Sequence, residues 1–470
     1  MCRHKWLQWI SGFLLTLIIA GLIPALPARA VTCPDTIKVG LSTVETNADF
    51  RIVSGNYQLF LNDDPTPVAS FQTLCLYRVS FMPLDNTMHL YGPGPGGLFS
   101  DLGVVTLFKL APDPTSPGPN VFSYNAKSYR GAVQVFMNRT GMKLNVINEL
   151  PLDQYLYGVV PKEMSNQWPL EALKAQAVAA RTYVLKNISK HSADGFSVCA
   201  ATHCQAYGGY AYEGDASRAA VDQTSRQVLL DKDGRLASTL YHSNSGGYTE
   251  DNMNVNGYNF DYLKGKPDPY SMGNGLSDWR CVVALDPDGS GNSIQERVYQ
   301  KNPNIGRIVS ITTAKYVSGR VYQVTLIDEA GLTVTMRGGE FGQMFNPGFT
   351  TAVNKDNFMG TMFVPKSDAS VAVLGDSGTP ITAEAGIRGM SVRSAEGIRP
   401  ASDQNNTYTA RSADGVRVIP KSAQYFTFEG HGWGHGVGMS QWGAYGMANL
   451  GKTYIDILIF YYEGTQVLTL

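Results

Sequence analysis

Over its first third this chain is paced like a sheet protein. Between residues 36 and 135, short alternating runs (IKVGLS at 37–42, YQLFLN at 57–62, VVTLFKL at 104–110) are cut apart by Gly, Pro and Asp clusters. That is the pattern of half-buried strands joined by turns. SYRGAVQVF at 128–136 and KLNVIN at 143–148 continue it. Helical spacing then intervenes at 170–187 and 215–224, so the chain falls in the α+β class, β-rich with a few helices.

Residues 148–187, NELPLDQYLYGVVPKEMSNQWPLEALKAQAVAARTYVLKN, join a polar loop carrying one carboxylate, Glu163, to the first of these helices. Pro169 stands where a helix starts, and Glu171 lies in the first turn, where its charge complements the helix dipole. Leu170, Leu173, Ala177, Ala180 and Val184 recur at helical spacing as a buried stripe. Lys174 and Arg181, two turns apart, share nearly one bearing along its edge. Two readings fit these cations: stems lying along the rim of a core, or contacts to a ligand. A carboxyl held among Val160, Met164 and Trp168 loses solvent, which raises its pKa toward the protonated form that a general acid needs. The plainer reading of Glu163 is a surface group paired with Lys162.

Near the other end, GHGWGHGVGMSQWGAYG at 430–446 places glycine at every second position from Gly430 to Gly438. In an extended chain the glycines share one side, and His431, Trp433, His435, Val437 and Met439 share the other. A bare side suits close contact with a strand or a sugar ring, and Trp433 can stack on one. His431 and His435 would then stand about 13 Å apart, too far to share a metal without a turn. Ser440 and Gln441 open an expected helix. YHSNSGGYTED at 241–251 supplies His242, Ser243, Asn244 and Ser245, with Gly246 and Gly247 allowing close backbone approach. No G-x-S-x-G elbow accompanies this His and Ser, which argues against a serine hydrolase.

Read together, the 148–187 and 430–446 blocks resemble the stage II sporulation protein D family, which contains peptidoglycan lytic transglycosylases and related amidase enhancers. The resemblance extends over about 37–466, with a looser middle. It implies that Glu163 is the catalytic acid/base and that the two distant blocks build one groove for peptidoglycan glycan strands. Lys174 and Arg181 would orient or neutralise the substrate there, and His242, Ser243, Ser245, Trp433, His435 and Gln441 would bind it. A lytic transglycosylase needs one acid/base, whereas a glycosidase of the usual kind needs two carboxylates. Asp153, Glu213 and Glu250 are acidic candidates without a compelling context. The rival readings are a non-catalytic wall protein whose partner is an amidase, and a glycan-binding module.

Cys199, His203 and Cys204 lie in SVCAATHCQAYGG, with His191 eight residues before Cys199. Two Cys and two His can make a tetrahedral zinc site; a Cys199–Cys204 disulfide is the alternative, and Cys33–Cys75 is a second candidate pair. Some members of the resembled family bind zinc with similarly placed ligands and others do not. The reaction itself requires no cofactor, so a zinc here would be structural.

Arg3, His4 and Lys5, an apolar run at 10–23 and the small-x-small Ala28-Arg29-Ala30 read as a secretory signal peptide over 1–30. The expected location is therefore secreted, periplasmic or cell envelope. A formal net charge of −1 gives no reason to expect nucleic acid as a partner. With charged residues at 16% and 25 tyrosines, a neutral, hydroxyl-rich ligand suits the chain. The expected organisation is a β-rich domain at 31–135, the first part of a catalytic core at 136–285, a β-rich segment at 286–420 and the second part of the core at 421–470. Asp233-Gly234 and Ser318-Gly319-Arg320 are expected hairpin turns, 366–410 an insertion or mobile loop, and 454–462 a helix capped by Thr453.

Overall fold

The computed structural model describes residues 33–470 except 72–74, 95–97, 139, 141, 274–276, 288–290, 346–357, 368–370, 375–379, 384–390, 395–396, 401–406, 413–414 and 421–423; between 371 and 420 it describes backbone pairing only. The expected leader at 1–30 lies outside the described residues. Within 366–410 the described backbone forms short two-stranded ribbons, and the rest of that expected insertion also lies outside. No helix among the described residues is long and apolar enough to cross a membrane.

Two sheets account for the strand-paced beginning. One has seven strands in the order Val198–Cys199, Thr36–Val44, Leu144–Pro151, Ala132–Met137, Leu107–Pro112, Tyr57–Leu61, Ala69–Phe71. The other has six, in the order Lys127–Arg130, Val121–Tyr124, Asn47–Ser54, Leu76–Met82, Thr87–Pro93, Phe99–Val104. In Asn47–Ser54 every second residue is buried, namely Ala48, Phe50 and Ile52, as a strand with one face on a core requires. Phe50 stacks on Phe108 of the facing sheet at 5.6 Å. The strand Ala132–Met137 runs across residue 135, and Leu144–Pro151 pairs along the whole of Thr36–Val44. Segments on either side of 135 therefore share one sheet and one core.

Three helices follow: α1 (Leu152–Glu163), α2 (Leu170–Lys186) and α3 (Asp215–Gln223). Glu163 is thus the last residue of a helix and not part of a loop, and α1 continues through Pro161. The buried Tyr155, Leu156, Val159 and Val160 anchor this helix strongly enough to tolerate a proline in its final turn. α2 is the centre of the molecule. It touches α1, α3 and the two C-terminal helices, Gln441–Asn449 and Tyr454–Tyr461. Its alanines at 172, 175, 177, 179 and 180 are all fully buried, so burial runs round the helix instead of along one stripe.

This corrects the placement of the two cations. Arg181 is fully buried, with its guanidinium donating to Asp153 Oδ1 (2.8 Å) and to the carbonyls of Val221 (3.2 Å) and Gln227 (3.3 Å). It joins α1, α3 and the strand Gln227–Leu230, and it cannot meet a ligand. Lys174 pairs with Glu171 (2.8 Å) and lies over the Tyr454 ring. Glu171 in turn accepts the Tyr454 N–H at the start of the last helix.

A second core gathers Trp279, Ile308, Val324, Phe341, Phe363, Phe426 and Phe428. Its sheets are Asp278–Ala284, Tyr425–His431 and Met362–Ser367, and Ile308–Lys315, Val321–Asp328 and Thr333–Arg337. The expected hairpin at Ser318-Gly319-Arg320 is present, with Gly319 at φ +85°. At Asp233-Gly234 the chain turns back on itself, with an antiparallel bridge between Leu230 and Leu236, while Gln227–Leu230 also pairs with the C-terminal Gln466–Thr469. The last helix starts on Thr453, whose side chain accepts the Asp456 N–H.

Truncating Arg181 leaves buried carbonyls unpaired and opens a hole among three elements. Arg181→Ala should lose about 3–5 kcal/mol of stability, measured by denaturant unfolding, and Arg181→Met should lose less.

Candidate active site

Glu163 reaches solvent with part of its side chain, while protein closes round its carboxyl. Oε1 accepts the Ala206 N–H (3.2 Å) and Oε2 accepts the Gln441 side-chain amide (3.2 Å). The Tyr241 hydroxyl faces the carboxyl and favours its charged form. Burial pushes the Glu163 pKa up, against the pull of these three donors and of the nearby Lys162. Tyr241 stays protonated, because burial and then the Glu163 charge raise its own pKa well above the ordinary value. Its oxygen accepts from Gln205 Nε2 (3.1 Å), and Gln205 Oε1 accepts from Tyr155 (3.3 Å). A chain of polar contacts thus runs from the first turn of α1 to its last residue.

Two distant segments meet here by backbone pairing. Tyr241–His242 runs parallel to Met439–Ser440, with Tyr241 opposite Met439 and His242 opposite Ser440. Ser440 caps the helix Gln441–Asn449 by accepting the Gly443 N–H (3.1 Å), which places Gln441 in the first turn, against Glu163. Ser243 accepts the Trp442 N–H at its carbonyl (3.0 Å) and keeps a half-exposed side chain.

Other residues of the expected binding set serve the scaffold. His242 is buried and bonds the Val437 carbonyl through Nδ1 (3.1 Å). Ser245 is fully buried, and its hydroxyl lies 2.7 Å from both Asp268 Oδ2 and the Ser271 hydroxyl. Neither residue is available to a glycan. His435 presents its ring to solvent, yet Nδ1 accepts the Val437 N–H (3.0 Å) and the ring also bonds the Tyr241 backbone. The protein packed round it, and then the Arg320 charge, lower its pKa, which favours the neutral ring. Trp433 exchanges backbone bonds with Asn244 (2.8 and 3.1 Å) and keeps a half-buried side chain.

The glycine run is not the flat strand its spacing suggests. Gly432, Gly434, Gly436 and Gly438 all have positive φ, between +71° and +97°, so the chain winds instead of extending. The winding parts the two histidines: His431 bonds Asp278 (2.6 Å) at the edge of the second core's sheet, while His435 packs on His242. At Gly436 a Cβ would fall 2.3 Å from the Arg320 Nε. Arg320, buried at the hairpin turn, donates to the Ser245 carbonyl (2.9 Å), so the second core braces the loop beside Tyr241.

His191, Cys199, His203 and Cys204 converge, with one potential ligand atom from each lying within 4.8 Å of the others. Cys33, Cys75, Cys199 and Cys204 carry free thiols, so neither Cys199–Cys204 nor Cys33–Cys75 forms a disulfide. Cys204 Sγ lies 3.4 Å from His191 Nε2 and 3.7 Å from His203 Nδ1, and Cys199 Sγ lies 3.6 Å from His203 Nδ1. Zinc bonds of about 2.3 Å to sulfur and 2.0 Å to nitrogen give a tetrahedron S···N edges of about 3.5 Å, so these residues fit the ion. His191 also turns Nδ1 toward Asp194 (3.4 Å), an orienting contact common behind metal-bound imidazoles. The cluster ends at Cys204, immediately before Gln205 and Ala206, which hold Tyr241 and Glu163.

Sequence reasoning missed Tyr241, Gln205 and Ala206. Tyr241 opens the YHSNSGG run, but nothing in the spacing reveals that its hydroxyl meets Glu163. Since the Glu163 pKa is raised, the protonated carboxyl fits the fold best. Its favourable contribution holds below the ordinary value of 4.5 and disappears as pH rises through the higher folded-state value. Relative to the parent, Glu163→Gln should therefore gain thermal stability between pH 4 and pH 7.5; a gap that stays constant would contradict this.

Comparisons with known proteins match the segment that carries Glu163 and Ala206. Residues 140–230 match a family model described as Stage II sporulation protein. The chain is 30% identical over 357 residues to the amidase enhancer of Bacillus subtilis, spanning 74% of this chain and 45% of that protein. It is 26% identical over 339 residues to stage II sporulation protein D of Bacillus subtilis, spanning 68% and 75%. An uncharacterized protein of Brachyspira hyodysenteriae is 29% identical over 347 residues, 74% of each chain.

Proposed function

The chain belongs to the stage II sporulation protein D family, and on that premise we propose that it is an envelope-facing lytic transglycosylase acting on peptidoglycan glycan strands. The observation that carries this reading is one part-exposed glutamate whose carboxyl has a raised pKa and is gripped by both motif blocks, while the other acidic candidates are committed elsewhere. Asp153 is held by Arg181 and Ser225. Glu213 takes both arms of Arg130. Glu250 is buried and bonds Ser318 and Asn254. The usual two-carboxylate hydrolysis lacks its second member among these.

In the proposed reaction, protonated Glu163 gives its proton to the glycosidic oxygen between MurNAc and GlcNAc as the C1–O bond breaks. The resulting carboxylate then takes the proton of the MurNAc C6 hydroxyl, whose oxygen attacks C1 and closes a 1,6-anhydro ring. Ala206, Tyr241 and Gln441 stabilise the carboxylate between the two steps, and burial keeps it basic enough to recover a proton. The expected leader at 1–30 would deliver the chain to the envelope. A zinc ion held by His191, Cys199, His203 and Cys204 would fix the segment that presents Ala206, without entering the reaction.

The relative named amidase enhancer favours a second reading, in which the chain stimulates an amidase without cutting glycan. Mass analysis of products from purified, peptide-stripped glycan strands separates the two. Anhydro ends support the lyase, reducing ends a hydrolase, and intact strands together with a stimulated amidase the enhancer. Glu163→Gln should lower turnover at least ~100-fold while binding to strands persists. Native protein should carry one zinc per chain by elemental analysis, and a chelator or Cys204→Ser should lower Tm while leaving glycan binding in place.

A further inference from the structure

Next to Glu163 lies an aromatic surface that the proposed chemistry leaves unused. Trp168 comes from the turn between α1 and α2, five residues after Glu163, and Trp442 follows Gln441 directly. Tyr445 sits one helical turn beyond Trp442. The Trp168 ring centroid lies 4.7 Å from Trp442 and 5.0 Å from Tyr445, and those two are 5.4 Å apart. The planes cross at 53–70°, so no ring is stacked flat against another.

All three side chains are half-buried. Trp168 packs against the main core on one side, whereas Trp442 and Tyr445 stand outside it. Among the described residues neither the Trp168 nor the Trp442 indole N–H meets a protein acceptor, and neither is sealed from water. Half-exposed aromatics such as Trp442 and Tyr445, outside the core and edged by unpaired indole donors, are placed for a ligand with an apolar face and polar rim. A pyranose ring has that form, its axial C–H face meeting an indole and its hydroxyls and N-acetyl group meeting the N–H.

We infer that Trp442, with Trp168 and Tyr445 beside it, forms a saccharide subsite that seats an N-acetylated sugar of the strand next to the bond facing Glu163. This rests on the glycan reading above and replaces Trp433 as the principal stacking residue. The placement follows from sequence adjacency, because the two residues bridged at the carboxyl, Glu163 and Gln441, each lead directly into this surface. The subsite makes specificity and KM depend on the rings and leaves proton transfer to Glu163.

The test uses the full chain carrying Glu163→Gln, which cannot turn over, and peptide-stripped glycan strands as the probe. In that background Trp442→Ala should weaken binding at least about fivefold, Tyr445→Ala should weaken it less, and Trp442→Phe should retain most of it. Glycan addition should also change tryptophan emission, and Trp442→Phe should reduce that change while Trp168 still reports it. In the active chain Trp442→Ala should raise KM more than it lowers kcat. Unaltered affinity in both alanine variants would overturn the subsite alone. If Glu163→Gln itself bound no strands, the subsite and the glycan reading would both fall. A Trp442→Ala protein that fails to fold leaves the decision to Tyr445→Ala and to the emission change in Trp442→Phe.

Discussion

The short parallel pairing of Tyr241–His242 with Met439–Ser440 is the contact on which the rest of the molecule's chemistry depends. It involves only two residues on each side, yet it sets Tyr241 and Gln441 on either side of one carboxyl. Everything around it acts to keep the register. His435 bonds the Tyr241 backbone, and His242 bonds Val437. Arg320 braces the Ser245 carbonyl from the second core. So short a ladder would not persist alone, and these buried polar contacts supply what its length cannot.

A carboxyl near this junction meets opposed demands. Donors from Ala206, Tyr241 and Gln441 favour the charged form, and burial favours the neutral one, with burial the larger effect. A group balanced in this way can hold either state at modest cost, which suits one residue acting first as acid and then as base. The other buried charges are settled instead. Arg181 and Glu213 each face partners of opposite sign in closed surroundings, and their work is to tie elements together.

Much of the architecture was legible in the sequence because it rests on local patterns. Alternation at 37–62 marked strands, Thr453 marked a helix start, and Ser318-Gly319-Arg320 marked a turn. The errors arose where a local sign was overruled by packing. The stretch carrying Glu163 read as a polar loop, but the buried face of α1 carries a helix through Pro161 to Glu163. Alanine carries little hydrophobic signal, so the all-round burial of α2 was hidden, and Arg181 looked like a rim residue. Period two in the glycine run suggested extension, whereas positive φ at Gly432 and Gly436 makes each of them a bend. Glu163 and Gln441 were both singled out in the sequence, and the structure brings their side chains together. Tyr241 was not singled out, since its role is fixed by a contact made across 78 residues of chain.

The Glu163–Gln441 bond joins residues 278 positions apart, and that separation has a temporal meaning. During synthesis, α1 and the first sheets are made long before the helix that begins at Gln441 exists. The carboxyl therefore spends the interval without Gln441 or the parallel pairing, more open to water and closer to an ordinary glutamate. Closure of so long a loop is a late event in folding. A chain that has emerged only in part can hold its sheets and its core, but its reactive group becomes fully tuned only when the final helices dock.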